Sequence, residues 1–487
     1  MVLVSFLFFL LAFFLVGMSS HLKSHKSKED YYLASKGISP LFTGLSAVAT
    51  NNSGYMFIGV IGYTYAVGLS TVWMAFGWIF GDFLASLYIH KELRAYTETT
   101  RELSFAGVIS RWTGEHYREV RFLAALISVI FLGSYAAAQL SAGGKALFAI
   151  LDWPQVTGSI IVAVAVAGYC WAGGLRASIW TDVAQSAVMI VAMFTLMYFG
   201  VQGLGGFGGT LDRLSEVPGF LDLSPGADEV LFPGAMGIIL FILGWMFAGL
   251  SVIGQPHIMV RFMSLDNPDH LVRTRVWYYG FFSLFYLMAV VVGMLSKIYL
   301  PGLDTSDPEL ALPMMAQDLL HPVFVGLVLA GIFAATMSTA DSLVLSCSSA
   351  LTHDLLPQRF ERTWQVKSMS VLVTLFALGI AIAGPQSVFT LVVLSWGVLG
   401  SAFAPVLVIY TLGMKPSEAQ TVMMMVIGVT VALVWRQLGL HTGVFEAMPG
   451  ILAALAYVWL RKGMIRARQA HTEAAHTEAA EADQGAS

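Results

Sequence analysis

The chain has 487 residues, of which 57% are hydrophobic and only 11% charged, with a mean hydropathy of +0.74 and a net charge of −4. Soluble domains carry about 25% charged residues, so a water-exposed surface of this extent is excluded, and with it a secreted disulfide scaffold or a disordered chain. The net negative charge leaves no basic surface for nucleic acid. Cys170 and Cys347 sit in apolar runs and read as buried small hydrophobes, not as a disulfide.

A bilayer core of ~30 Å takes roughly 20 apolar residues as helix. Thirteen stretches qualify, near 2–19, 40–67, 70–90, 122–147, 155–172, 179–201, 233–257, 276–297, 322–346, 368–384, 387–411, 418–436 and 444–460. They predict an all-α polytopic membrane protein, one transmembrane domain spanning residues 1–462 in the lipid bilayer. The first stretch has no positive n-region, and Lys23, Lys26 and Lys28 follow it. It therefore reads as a retained helix with its N-terminus outside. In that topology all of the 26 Lys and Arg except Lys145, Arg213, Lys297 and Arg436 fall on the cytoplasmic side. The positive-inside rule then places the C-terminus in the cytoplasm, the acidic loops 202–232 and 298–314 outside, and the protein in the plasma (inner) membrane.

The second stretch holds Thr50-Asn51-Asn52-Ser53-Gly54 in mid-span. Unpaired amides in hydrocarbon cost several kcal/mol, which predicts a broken helix lining a cavity. The seventh carries Gly249-Leu250-Ser251 and Gly254-Gln255-Pro256-His257, where Pro256 removes a donor. The two interruptions lie five spans apart. Paired broken helices at such spacing point to an inverted-repeat transporter, with repeat one over about 40–201, repeat two over about 233–411 and extra helices over 418–460. The plain alternative is that Gly and Pro are simply frequent in membrane helices.

The ninth stretch reads Ala334-Ala335-Thr336-Met337-Ser338-Thr339-Ala340-Asp341. Ala335, Ser338 and Thr339 share one helical face and offer oxygens to a hard cation, to which the unwound second stretch adds the carbonyls of Ala49 and Asn52. Ordinary small-residue packing, with hydroxyls bonded back to the i−4 carbonyl, accounts for the same spacing. Asp82 and Asp341 are intramembrane carboxylates, functional candidates by default. Asp182 reads as the opening of the sixth stretch, where it caps the helix N-terminus or draws a departing cation. The tail 463–487, with Ala470-His471-Thr472-Glu473-Ala474 nearly repeated, reads as a disordered cytoplasmic tail, with metal ligation the alternative.

The run Gly173-Gly174-Leu175-Arg176-Ala177-Ser178-Ile179-Trp180-Thr181-Asp182-Val183-Ala184-Gln185 resembles the signature of the sodium/solute symporter family. Asp30-Tyr31-Tyr32-Leu33-Ala34 and the segment Tyr135 to Lys145 resemble its first cytoplasmic loop and third core helix. The run Gly254 to Met263 and Met337-Ser338-Thr339 resemble its sodium/proline permease branch. The resemblance implies a leucine-transporter-type 5+5 inverted-repeat fold and Na⁺-driven import of a small organic solute, with proline the leading expectation. Another amino acid, a monocarboxylate, a quaternary amine or a proton-coupled carrier of the same fold remain alternatives. By motif it maps the Na⁺ ligands onto Ala49, Asn52, Ala335, Ser338 and Thr339, and ion release onto Asp182. It maps substrate contacts onto Ser53, Gly54, Tyr55, Tyr135, Gln255, Pro256 and Trp396, with Trp245 one turn before the branch's usual Trp position, here Ala248. The branch has Asp and Met where this chain has Asn51 and Asn52, and an aromatic residue where it has Val252-Ile253. No hydrolase or metalloprotease motif appears, so no enzyme and no obligatory protein partner is expected.

Overall fold

The computed structural model describes residues 1–20, 27–303, 307–356, 360, 362–384 and 387–461. Lys23, Lys26, Arg359 and the tail 463–487 lie outside the described residues. Every one of the thirteen predicted stretches is helical. We label the main helices α1 (Val2–Ser19), α2 (Pro40–Gly54), α3 (Thr71–Thr100), α4 (Arg118–Leu151), α5 (Gln155–Gly203), α6 (Ala235–Leu250), α7 (Pro256–Met263), α8 (Leu271–Tyr299), α9 (Ala311–Leu319), α10 (Pro322–Ser349), α11 (Thr363–Ala383), α12 (Val388–Thr411), α13 (Glu418–Gln437) and α14 (Ala447–Arg461). Among the described residues, ten helical runs are long and apolar enough to cross a membrane. One of them, Pro40–Thr100, holds two predicted spans, since the chain turns at Gly68 (φ +77°), where a Cβ would lie 2.3 Å from the Phe220 carbonyl oxygen. Gln155–Trp171 and Ala447–Arg461 are shorter apolar helices.

Burial separates the centre from the rim. Of the apolar windows, 89% is buried in the helices of α10 and α12, against 17% in α1, 28% in α13 and 33% in α11. The rim helices expose large apolar side chains such as Phe8, Phe14, Leu375 and Phe376, as a lipid-facing surface requires. Helix α10 packs on α2, α4 and α5, and α12 on α4 and α13. The leading helix is no loose appendage, because Phe6 meets Phe333 of α10 edge-on at 4.8 Å.

Both expected breaks are present. Helix α2 ends where Ser53 takes φ +50°, ψ −178°, and a π-helical turn, Tyr55–Val60, follows. Between α6 and α7 the 3₁₀ turn Ser251–Gly254 leads to extended Gln255, and Pro256 starts α7. A third break was not foreseen as such. The fifth and sixth stretches form one helical run, interrupted only at Gly174 (φ +59°), where a Cβ would meet Tyr31 at 2.5 Å. Asp182 thus lies two turns inside the helix rather than at its start, and the capping role expected for it is corrected: its neighbours are side chains, not the helix's own first amides. The two loop motifs meet here, since Arg176 pairs with Asp30 at 2.6 Å and donates to the Ala34 carbonyl.

Candidate functional site

The basic-loop end of the bundle, carrying residues 28–36 and 350–356, and the opposite acidic-loop end flank a central region built on the two breaks. On its α10 side, the Ser338 hydroxyl donates to the Ala335 carbonyl at 3.0 Å and faces the Ala49 carbonyl at 3.3 Å. Thr339 donates to the Thr50 carbonyl at 2.9 Å. Four of the five expected cation ligands therefore sit in one buried patch between α2 and α10. The carbonyl of the fifth, Asn52, accepts from the Tyr55 amide beside the break. Both side-chain polar atoms of Asn52 are buried without a hydrogen-bond partner among the described residues. The face argument gave Ser338 and Thr339 either oxygen ligation or back-bonding within the helix. The geometry contains both, because Ser338 is back-bonded and also reaches across to α2.

The expected solute residues gather on the other side of the break. Tyr135 donates to the Ser53 hydroxyl at 3.2 Å, and the Gly54 amide donates to Gln139 Oε1 at 2.8 Å. A Cβ at Gly54 would lie 2.8 Å from Thr336 and 2.9 Å from Ala142, so only glycine lets α2 approach this closely. Gln255 donates to the Trp396 carbonyl at 3.0 Å, while Trp396 Nε1 donates to the Ala248 carbonyl at 2.7 Å. Trp78 links Trp396, at 5.0 Å, with Trp245, at 5.7 Å. Tyr55 stacks on Phe389 and contacts Trp78. Pro256 departs from this group. It starts α7 and lines a small cavity toward the basic end with Tyr31, Ser349 and Asp354, which corrects its expected place among the solute contacts.

Several buried polar atoms converge here without partners among the described residues: Gln139 Nε2, Gln255 Oε1 and both ring nitrogens of His257. Leaving such a group unpaired costs about 1–3 kcal/mol. These atoms are therefore candidate contacts for a polar ligand.

The strongest electrostatic feature lies one turn below the cation patch. Arg261 of α7 is fully buried. Its guanidinium donates to Ser178 at 3.0 Å, to Asp182 at 3.4 Å, to Ser46 at 3.3 Å and to the His257 carbonyl at 2.6 Å, and it contacts Ser342. Ser46 donates to Asp182 at 2.6 Å, and Asp341 accepts from Ser178 at 3.1 Å with the Ser342 hydroxyl 3.0 Å away. Ser342 in turn donates to the Ser338 carbonyl at 2.5 Å, tying this cluster to the cation patch. Asp182 and Asp341 are thus near neighbours in one polar network. Asp82 lies elsewhere, bonded to Tyr278 and Tyr279.

The acidic-loop end is closed differently. Phe389 stacks between Tyr55 and Tyr63 with centroids 5.4 and 5.3 Å away. The Glu309 carboxylate accepts the Val388 and Phe389 amides at 3.0 and 2.8 Å, capping α12, and pairs with Lys145 at 2.6 Å. Tyr63 donates to Glu229.

The sodium:solute symporter family profile matches residues 31–435. The chain belongs to that family. It is thereby a Na⁺-driven solute importer with Na⁺ as coupling ion, and its relatives are transporters rather than enzymes. Among them, the high-affinity proline transporter PutP of Bacillus subtilis (strain 168) is 29% identical, covering 88% of this chain and 91% of the relative. The sodium/proline symporter of Escherichia coli (strain K12) is also 29% identical, covering 92% and 90%. A solved structure of a Na⁺-coupled sialic acid symporter in a substrate-bound outward-open state aligns with a TM-score of 0.75 at 18% identity, covering 94% of this chain and 98% of that one. That likeness establishes the fold, the leucine-transporter-type 5+5 inverted repeat. It also accords with the multi-pass membrane character read from composition.

Sequence reasoning passed over Gln139, Trp78, Tyr278, Glu309 and Arg261. Gln139 stood in mid-span of an apolar helix, a signal that was available. Arg261 was counted among the cytoplasmic loop charges, yet it follows the helix-starting Pro256 by five residues with no breaker between them. That spacing alone places it inside a helix.

Proposed function

We propose that this symporter imports L-proline with Na⁺ by alternating access. The observation that carries the reading is the patch in which Ser338 and Thr339 meet the carbonyls of Ala49, Thr50 and Ala335, all uncharged oxygens. Such ligation suits a weakly held ion that must be released. Na⁺ bound there ties α2 to α10 and steadies the break, whose Ser53, Gly54 and Tyr55, with Tyr135, Gln255 and Trp396, then receive the solute. Trp245 supports that wall through Trp78.

The N-terminus faces outside and the basic-loop end faces the cytoplasm, as does the tail beyond residue 462. Ion release passes Asp182 once α7 withdraws Arg261, which loosens the ties of Ser342 and Asp182 together. Na⁺ drives uptake only through its reciprocal coupling to solute affinity. One charge moved across 100 mV supplies ~2.3 kcal/mol, roughly fifty-fold accumulation before any chemical Na⁺ gradient is added. The chain from 1 to 462 acts as one domain, its two repeats near 40–201 and 233–411 moving against each other.

The rival reading is a proton-coupled cycle through Asp182 or Asp341, two carboxylates set against the single positive charge of Arg261. The test is labelled L-proline uptake into proteoliposomes with and without an inward Na⁺ gradient. Na⁺-dependent accumulation is the expected result. Uptake driven by a pH gradient without Na⁺ overturns the ion assignment. Na⁺-dependent stabilisation of the purified protein without proline uptake moves the search to other amino acids, monocarboxylates or quaternary amines.

A further inference from the structure

Helices α13 and α14 stand outside both repeats, and the proposed transport cycle gives them no task. The loop that joins them is nevertheless buried at Val444, Phe445 and Glu446. It lies at the acidic-loop end, where a Cβ at Gly443 would lie 2.3 Å from the Leu231 amide nitrogen. Its shape is fixed within the hairpin itself. Trp435 Nε1 donates to the Val444 carbonyl at 2.8 Å, and Arg436 pairs with Glu446 at 2.7 Å. A buried ion pair keeps its geometry, because parting it strands a charge away from water.

The loop meets α6 and α12 at glycines, and each glycine adjoins a tryptophan. On α6 a Cβ at Gly244 would lie 2.7 Å from the Phe445 amide nitrogen, and Trp245 is the next residue. On α12 a Cβ at Gly397 would lie 2.8 Å from Glu446 Cγ, and Trp396 is the residue before it. Rings continue the contact. Phe445 stacks on Trp245 with centroids 5.4 Å apart and planes 19° apart, and Trp245 stacks on Trp78 at 5.7 Å and 23°. Trp78 in turn lies 5.0 Å from Trp396 and 5.5 Å from Tyr55. A row of rings thus runs from the hairpin through α6 and α3 to Tyr55 and Trp396.

We propose that Phe445 and Glu446 are positioning residues for the solute wall, holding Trp245 and Trp396 against Trp78 from a support outside both repeats. The inference rests on reading Tyr55, Trp245 and Trp396 as solute residues. It gives the hairpin a part in solute affinity and none in ion binding, since its contacts are on α6 and α12, whereas the cation patch lies between α2 and α10.

The test measures initial rates of labelled L-proline uptake into proteoliposomes against proline concentration at saturating Na⁺, using the full-length protein. KM should rise about three- to tenfold in Phe445→Ala and Phe445→Leu, the range that an aromatic pair supplies, with kcat near wild type. Leucine fills much of the space without the ring, so it separates stacking from filling. Phe445→Tyr keeps the ring and should return KM toward wild type. Glu446→Gln keeps the shape against Gly397 but weakens the tie to Arg436, and should raise KM less. The rise of Tm with NaCl, followed without solute and with choline chloride holding ionic strength constant, reads ion binding alone. Its half-effective Na⁺ concentration should stay at the wild-type value in every variant.

A merely structural role lowers Tm and kcat and leaves KM unchanged. That pattern, or wild-type kinetics in both Phe445→Ala and Phe445→Leu, overturns the proposal, as does a shifted half-effective Na⁺. Should Phe445→Ala fail to fold, Phe445→Leu carries the test. A wild-type protein that takes up no proline under a Na⁺ gradient removes the solute reading and the wall with it, so the two failures are distinguished.

Discussion

At the basic-loop end the central region is shut by side-chain charges, with Arg261 between Asp182, Ser46, Ser178 and Ser342. At the acidic-loop end it is shut by rings and a helix cap, with Phe389 between Tyr55 and Tyr63, and Glu309 on the first amides of α12. The difference follows from what each end must respond to. A buried charge cluster responds to a cation that arrives or leaves nearby, because charges interact more strongly in a low-dielectric interior than in water. The aromatic layer carries no formal charge of its own, and its ion pair, Lys145 with Glu309, belongs to the cap of α12. The ion-sensitive closure stands one turn from the cation patch. The closure at Phe389 stands against Tyr55, one of the expected solute residues.

Arg261→Ala should break this contrast most severely. It leaves Asp182 buried without its cation, and removing one partner of a buried pair costs about 3–5 kcal/mol. Na⁺-driven uptake should be lost and Tm should fall, and adding Asp182→Asn should recover part of the stability. Wild-type stability in Arg261→Ala would show the cluster to be passive. Glu309→Ala probes the other end. Two amides of α12 lose their cap, and Lys145 keeps only Asp307, at a cost of about 2 kcal/mol for a cap at the upper range. Labelling of a cysteine introduced near residue 389 should become faster, while half-effective Na⁺ stays near wild type. A large shift in Na⁺ dependence here would erase the distinction between the ends.

Ser338→Ala removes one oxygen from the cation patch. The Na⁺ needed for half-maximal uptake should rise about tenfold, corresponding to ~1.4 kcal/mol, with a smaller rise for Thr339→Ala. Unchanged Na⁺ dependence in both would remove the patch as the ion site. Tyr63→Phe should have the smallest effect. It keeps the stack on Phe389 and loses only the bond to Glu229, about 1 kcal/mol, visible as a slight drop in Tm with normal uptake.

The cation patch was legible because its residues are close in sequence on each side: Ala335, Ser338 and Thr339 repeat at helical spacing, and polar residues in mid-span announce the break at Ser53. The solute wall was partly legible through motif. Gln139 carried a signal, a polar side chain in mid-span of an apolar helix, whereas Trp78 was hidden because nothing local distinguishes such a ring from an ordinary core residue. Asp182 was misread for a related reason. Its apparent place at a helix start came from glycines at 173–174, but the helix resumes at once beyond Gly174, which carries Asp182 inward to meet Ser46 and Arg261.

The sequence by itself determined what depends on composition and on periodicity. A chain so poor in charge must place its surface in lipid, its apolar runs must be helices because hydrocarbon offers backbone groups no partner, and polar residues in mid-span joined by glycine or proline mark the breaks at Ser53 and Gln255. What only the tertiary structure decided is which distant side chains share a low-dielectric space. Arg261, Asp182, Asp341 and Ser46 come from four different helices. Asn51, Tyr278 and Asp82 come from three. Their pairing is set by where helices cross, through close approaches such as Gly54 on Ala142 and Gly249 on Trp78. No local pattern of residues encodes those crossings.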